Sequence, residues 1–199
     1  MALRTLDAAG LDLLFREART PEEWCDRPVS DQMLHELYEL VKLGPTSSNC
    51  SPARILFLRT AEAKARLKPA INPANVEKTM LAPVTAIIGY DVRYHVWMPT
   101  LFPEQAEKAR ERYAGRPGYA EATAFRNSSV QGGYFILAAR SLGLDCMPIS
   151  GFDNAKVDEA FFRDPEVKSN FICNLGYGDR SGLSPRKPRL AFEQACQLL

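Results

Sequence analysis

Five short stretches carry residue types suited to holding a flat ligand with an anionic end. Arg19 and Thr20 close the run "EART". Pro45, Thr46, Ser47 and Asn49 lie within "GPTSSNCSPAR", residues 44–54. Asn75 and Lys78 belong to "NVEK", Pro148, Ser150 and Gly151 to "CMPISGFD", and Lys187 and Arg189 to "RKPR". Hydroxyls and backbone amides can cradle something anionic, and guanidinium forks can meet its charge. An asparagine and a lysine three apart share one helical face, so they present an amide and a cation together. Taken singly, each stretch is also ordinary surface, and "GPTSSNCSPAR" also reads as a plain loop. Together they form no acid–base pair. They describe a site in which a bound cofactor carries the chemistry while the protein binds, orients and tunes it.

Other chemistries lack their parts. Cys50 is a candidate nucleophile, but neither His35 nor His95 comes with a recognisable partner motif. His35 falls off the apolar face of its helix and reads as a solvated residue. "GYGDRSG" has the glycines of a dinucleotide loop but is followed by "LSPRKPR", whose prolines do not open the helix such a loop requires. There is no G-x-S-x-G elbow and no P-loop. The five cysteines, at 25, 50, 146, 173 and 196, form no C-x-x-C pair. They read as free thiols in a reducing cytoplasm, and no clustered His and Cys ligands suggest a metal.

The elements that must position these residues follow from periodicity. A helix is expected over 6–17. The clearest one lies in "PVSDQMLHELYELVKLG", capped by Ser30 or Asp31 and stopped by Gly44. Buried strands are expected at 54–60, 83–91 and 170–179, with a short helix at 61–69. Residues 92–119 mix aromatics, prolines and charges and read as an excursion or lid. Tyr94, Trp97, Phe102 and Tyr113 there either cover an acceptor or simply bury the excursion. A long helix is expected over 121–145. Its central Ser128, Ser129, Gly132 and Gly133 permit close approach, either within the subunit or at an interface. Residues 180–199 read as a C-terminal arm. The pattern is α+β, one domain over 1–199.

Bulk properties narrow the partners. The chain has 199 residues, 46% of them apolar, with 25 basic and 24 acidic side chains. Such a balance offers no field for nucleic acid. No apolar run reaches membrane-spanning length, and the amphipathic N-terminus is unlike a signal peptide. A cytoplasmic location is therefore expected.

"VKLGPTSSNCSPARILFLRTAE", "EATAFRNSS", "LGLDCMPISGFD" and "NLGYGD", in that order, resemble the FMN-dependent nitroreductase family over almost the whole chain. Within it, the likeness is closest to malonic semialdehyde reductases of bacterial uracil degradation and the NAD(P)H nitroreductases grouped with them. The resemblance implies a nitroreductase-like fold with a mixed central sheet flanked by helices. It also implies an intertwined homodimer that exchanges its C-terminal arms, with two FMN sites at the subunit interface. Arg19 and Thr20 match the phosphate- and ribityl-binding segment, and Pro45, Thr46, Ser47 and Asn49 the loop from the neighbouring subunit. Asn75 and Lys78 match the pair at the flavin pyrimidine edge, with Lys78 steadying negative charge on the ring. Pro148, Ser150 and Gly151 match the segment beside the ring, and Lys187 and Arg189 the phosphate clamp. NADH or NADPH is the implied donor in a ping-pong cycle. The acceptor is a small molecule: an aldehyde of the malonic semialdehyde type, a nitroaromatic or a quinone. A flavin-binding module without turnover and a thiol enzyme centred on Cys50 are the alternatives. Three positions depart from the family pattern: Ala18 and Glu22 stand where relatives carry basic residues, and Ser51 where they carry glutamine.

Overall fold

The computed structural model describes residues 5–199. Its elements, in chain order, begin with α1 (Ala8–Leu11), which runs into a π-helical turn at Asp12–Arg16, and α2 (Asp31–Val41). Then come β1 (Ala53–Leu58), α3 (Ala61–Leu67), α4 (Pro73–Leu81) and β2 (Val84–Asp91). The excursion follows with α5 (Met98–Leu101) and α6 (Ala106–Ala114), and then α7 (Pro117–Ser141). The chain closes with β3 (Asp145–Ile149), α8 (Asn154–Phe161), β4 (Val167–Gly176) and α9 (Phe192–Ala195).

The four strands form one sheet in the order β1-β2-β4-β3, and every pair in it is antiparallel. The mixed sheet that the resemblance implies would need a parallel strand, and none is paired among the described residues. β2 is buried along its whole length because helices cover both faces of the sheet. On one face, Leu34, Leu37 and Val41 of α2 and Phe135 and Ala139 of α7 pack on Val84, Ala86, Ile88, Cys173 and Leu175. On the other, Leu67 of α3 and Val157 of α8 pack on Ile87, Ile149, Ile172 and Leu58. Each fully buried leucine or isoleucine contributes about 1.5–3 kcal/mol of transfer free energy.

Three expectations shift. The first helix starts at Ala8, not Leu6, and its last turn widens to π geometry. The long helix ends at Ser141, where Gly143 adopts φ +79° and stops it. Leu142 to Leu144, expected as helix, form a turn instead, and Asp145 opens β3. This strand was missed because Pro148 lies inside it. Proline is tolerated there because β3 is an edge strand, with one side free of ladder bonds.

The small-residue run of α7 packs within the chain on one side, and Ser129 as well as Ser128 accepts from Asn170. Ser128 and Gly132 are buried within the chain. Ser128 accepts from Asn170 Nδ2 at 2.7 Å, and a Cβ at Gly132 would lie 2.4 Å from the Phe171 ring. Gly133 and Ser129 face outward. The excursion is a series of short helical pieces broken at 92–93, 102 and 115–116, and Tyr94 and Tyr113 are buried in their own cluster while Trp97 stays exposed.

Candidate functional site

Helix α4 is the platform. Asn72 caps it by accepting from the Ala74 N–H at 3.1 Å, and Pro73 takes the first helical position, where no N–H is needed. Thr79 is fully buried and accepts from Asn174 Nδ2 at 3.1 Å, while Thr85 Oγ1 donates to Asn174 Oδ1 at 2.8 Å. This satisfied buried network ties the helix to the sheet, where an unpaired member would be costly. Lys64, from α3, is itself buried and donates to the carbonyls of Met80 and Ala82 at the far end of α4. Burial lowers the Lys64 pKa below the usual lysine value. A helix C-terminus favours such a cation. Asn75 and Lys78 stand one turn apart on the helix held this way.

The segment after β3 comes to meet α4. Asn72 N–H donates to the Gly151 carbonyl at 3.0 Å, Asp153 N–H to the Ala70 carbonyl at 2.8 Å, and Ile71 bridges Phe152. A Cβ at Gly151 would lie 3.4 Å from Asn75 Nδ2 and 3.5 Å from Asn72 Cβ. Glycine therefore lets the backbone close against the helix. Among the described residues, the Gly151 N–H donates to no other protein group. Asn75, Gly151 and Ser150 are thus brought together, with Pro148 exposed beside them on β3.

The segment from Arg19 to Cys25 runs along the same end of the molecule. Cys25 N–H donates to the Tyr177 carbonyl at 2.7 Å, Asp179 N–H to the Glu23 carbonyl at 3.0 Å, and Trp24 bridges Gly178. Trp24 Nε1 donates to the Lys78 carbonyl at 3.1 Å, and Glu22 Oε2 lies 3.1 Å from Lys78 Nζ. A cavity of about 860 Å³ opens here, with Glu22, Trp24, Glu77 and Lys78 in its wall.

The arm is tied down by a residue the sequence analysis did not single out. Arg186 donates to the carbonyls of Phe15, Arg16 and Ala18 at 3.1, 2.7 and 2.8 Å. Arg19 in turn donates to the Ser184 carbonyl. This brings Arg19, Thr20 and the start of the arm together, with Lys187 exposed next in the chain. Arg189 folds back on its own arm and donates to the carbonyls of Lys187 and Pro188. The only sequence signal for Arg186 was its place in "RKPR"; partners about 170 residues away are not visible in a linear pattern.

The loop with Pro45, Thr46, Ser47 and Asn49 lies elsewhere. It feeds β1, the edge strand opposite β3, so it stands about three strand spacings from Ser150, roughly 14 Å across the sheet. Ser48, Asn49 and Ser51 hold φ of 51°, 53° and 39°, a left-handed conformation that non-glycine residues rarely adopt. Two tertiary bonds and one within the loop hold it there. Ser47 N–H donates to Asn127 Oδ1 at 2.8 Å, Asn49 Nδ2 to the Leu101 carbonyl at 2.7 Å, and Ser51 N–H to Thr46 Oγ1 at 3.1 Å. Such strain persists where the surroundings over-determine it, and it clusters at functional sites.

Cys50 is fully buried, and burial pushes its thiol up to about 11, with the Thr46 hydroxyl offsetting part of the effect. A thiol neutral at physiological pH is a poor nucleophile. His35 is exposed, as expected from its helix face. His95 Nδ1 is buried without a partner among the described residues. The geometry therefore does not support the thiol alternative.

The donors gathered around α4 fit FMN: an amide, an ammonium and an open backbone N–H for a ring edge rich in carbonyl and nitrogen acceptors, and a guanidinium near Thr20 for the phosphate end. Comparison with known proteins agrees. Residues 19–177 match the nitroreductase family. A protein of Burkholderia lata, provisionally named NADH dehydrogenase/NAD(P)H nitroreductase, is 54% identical over 196 residues, covering 98% of this chain and 100% of its own. One of the same name from Cupriavidus pinatubonensis is 55% identical over 189 residues, 94% of this chain and 96% of its own. Among solved structures, a provisionally named nitroreductase of Bacillus subtilis superposes with TM-score 0.88 at 20% identity, over 97% of this chain and 100% of its own. Another, from Exiguobacterium sibiricum and solved with FMN, gives 0.80 at 17% identity, with both chains fully covered. This chain belongs to the nitroreductase family.

Proposed function

We propose that this nitroreductase-family chain is an FMN-dependent NAD(P)H oxidoreductase whose acceptor is a small aldehyde of the malonic semialdehyde type. The observation that carries the reading is the convergence of Asn75, Lys78 and the Ser150–Gly151 backbone on one platform, with Arg19 and the arm beside it. When bound, FMN would supply the redox chemistry, taking a hydride from NAD(P)H and giving one to the carbonyl carbon of the acceptor, whose oxygen would take a proton from water. The chain's own residues bind and tune. Asn75 and the Gly151 N–H orient the ring edge. Lys78 meets negative charge there, an effect that grows where water is excluded. Arg19, with Lys187 and Arg189 of the arm, answers the phosphate.

The loop at 45–49 belongs to the same site only if it comes from a second copy. Several features favour a homodimer that exchanges arms. β1 is an edge strand, and a groove of about 630 Å³ runs beside it, with Tyr38, Ile55, Phe57 and Trp97 in its wall. Leu190, Phe192 and Leu198 of the arm are exposed, as are Phe125, Val130 and Tyr134 on α7. Apolar surface on this scale favours association. An arm from the partner lying along β1 would complete the mixed sheet.

The test is direct. The purified protein should be yellow, lose its colour with NADH or NADPH in the absence of air, and regain it with malonic semialdehyde faster than with a ketone of the same size. A colourless protein that takes up no added FMN overturns the reading. A yellow one that neither nucleotide bleaches points to a flavin-binding module without turnover.

A further inference from the structure

We infer that Glu22 is a positioning residue that governs how much of the Lys78 charge reaches the cofactor, and that it thereby favours acceptors that are hard to reduce, such as aldehydes, over quinones. The inference rests on the reading that Lys78 faces FMN. Its own support is geometric. The Glu22 carboxylate lies 3.1 Å from the Lys78 ammonium. The carboxylate does not arrive there by the swing of a loose loop. The backbone of residues 23–25 is hydrogen-bonded to 177 and 179, and the Trp24 indole is bonded to the Lys78 carbonyl, so the segment on the C-terminal side of Glu22 is fastened to the residue that Glu22 faces.

The surrounding charges leave Lys78 in an acidic setting. Glu22, Glu23, Asp26 and Glu77 all stand in the wall of the same cavity. Of the two arginines there, Arg27 lies over the Tyr177 ring at 3.7 Å and Arg59 is paired with Asp31. Lys78 is the cation of that wall that shares α4 with Asn75, and Glu22 is the carboxylate in contact with it. An exposed pair in water is worth little, and these side chains are 35% and 57% exposed. A ring lying against the pair displaces water, and the same charges then act at lower dielectric. A carboxylate there opposes the arrival of electrons on the cofactor and shares the ammonium that would welcome them. Both effects lower the reduction potential. A cofactor with a lower potential is a stronger reductant. A carbonyl, harder to reduce than a quinone, gains most from that.

The measurement is the midpoint potential of FMN on the purified holoenzyme, by dye-linked titration, for wild type, Glu22→Gln, Lys78→Gln, the double variant and Glu23→Gln. Glu22→Gln should raise the potential, with reduced FMN held about tenfold more tightly relative to oxidised, which is about 30 mV for a two-electron couple. Its rate of reoxidation by an aldehyde should fall relative to that by a quinone. In the Lys78→Gln background the same change should move the potential much less. An unchanged potential in Glu22→Gln overturns the inference while leaving the functional reading intact. An equal shift in Glu23→Gln, or an undiminished shift without Lys78, also overturns it, since the effect would then be a general field. Failure of the wild type to bind FMN removes both.

Discussion

Lys78 is where a single charge matters most. It is held by a helix anchored at Thr79 and capped by Lys64, so removing its ammonium deletes a charge without loosening its support. Lys78→Ala should raise the dissociation constant for FMN about tenfold or more, since a hydrogen bond to a charged group contributes about 1.5–3 kcal/mol. Fluorescence quenching of added FMN reads this directly, and wild-type affinity would remove Lys78 from the site. Cys50 belongs to the opposite category, a reactive group made inert. Its folded pKa is raised to about 11 from an ordinary value of 9.0. A raised pKa favours the fold below the unfolded value, and that contribution is lost as pH climbs through the folded one. Between pH 9 and 11 the wild type should therefore lose stability faster than Cys50→Ala, measured as the difference in urea midpoints. Parallel curves would show that the thiol does not titrate there.

Elements determine whether such residues meet. Gly176 ends β4 against two rigid rings: a Cβ there would lie 2.6 Å from Pro83 Cδ and 2.9 Å from Trp24 Cε3. Gly176→Ala should cost about 1–3 kcal/mol of stability through overpacking. It should also weaken FMN binding, because Trp24 holds the backbone of Lys78. A thermal melt and an FMN titration on one sample check both, and an unshifted melt would show that the rings give way freely. At this scale the sequence was only partly legible. α2 could be read because Ser30, the spacing of Leu34, Leu37 and Val41, and Gly44 all agree on it. β3 could not, because Pro148 speaks against a strand unless the strand is known to lie at an edge, and edge position is a property of the sheet. The left-handed run at Ser48, Asn49 and Ser51 was equally hidden, since none of these residues is a glycine and bonds donated to Asn127 and Leu101 hold the loop.

For the whole molecule, the issue is the distance between the loop at 45–49 and the platform on α4. The two stand at opposite edges of one sheet, and on the proposed reading a second copy would bring the loop to the platform. Val130→Asp, which places a charge on the exposed face of α7, should shift the protein toward monomer in light scattering and weaken FMN binding in parallel. A monomer that binds FMN as tightly as the wild type would contradict the shared site. No helix among the described residues is long and apolar enough to cross a membrane. By itself the sequence determined the chemical inventory: hydroxyl, amide and cation types in a fixed order, and the helical spacing that puts Asn75 and Lys78 on one face. These are local properties, set by residue type and by the period of the helix. Only the tertiary structure decided that Glu22 faces Lys78, that Arg186 ties the arm to residues 15–18, and that the hydroxyl loop stands apart from the platform. Each of these depends on contacts between segments distant in the chain, which the packing of helices on the sheet brings together or holds apart.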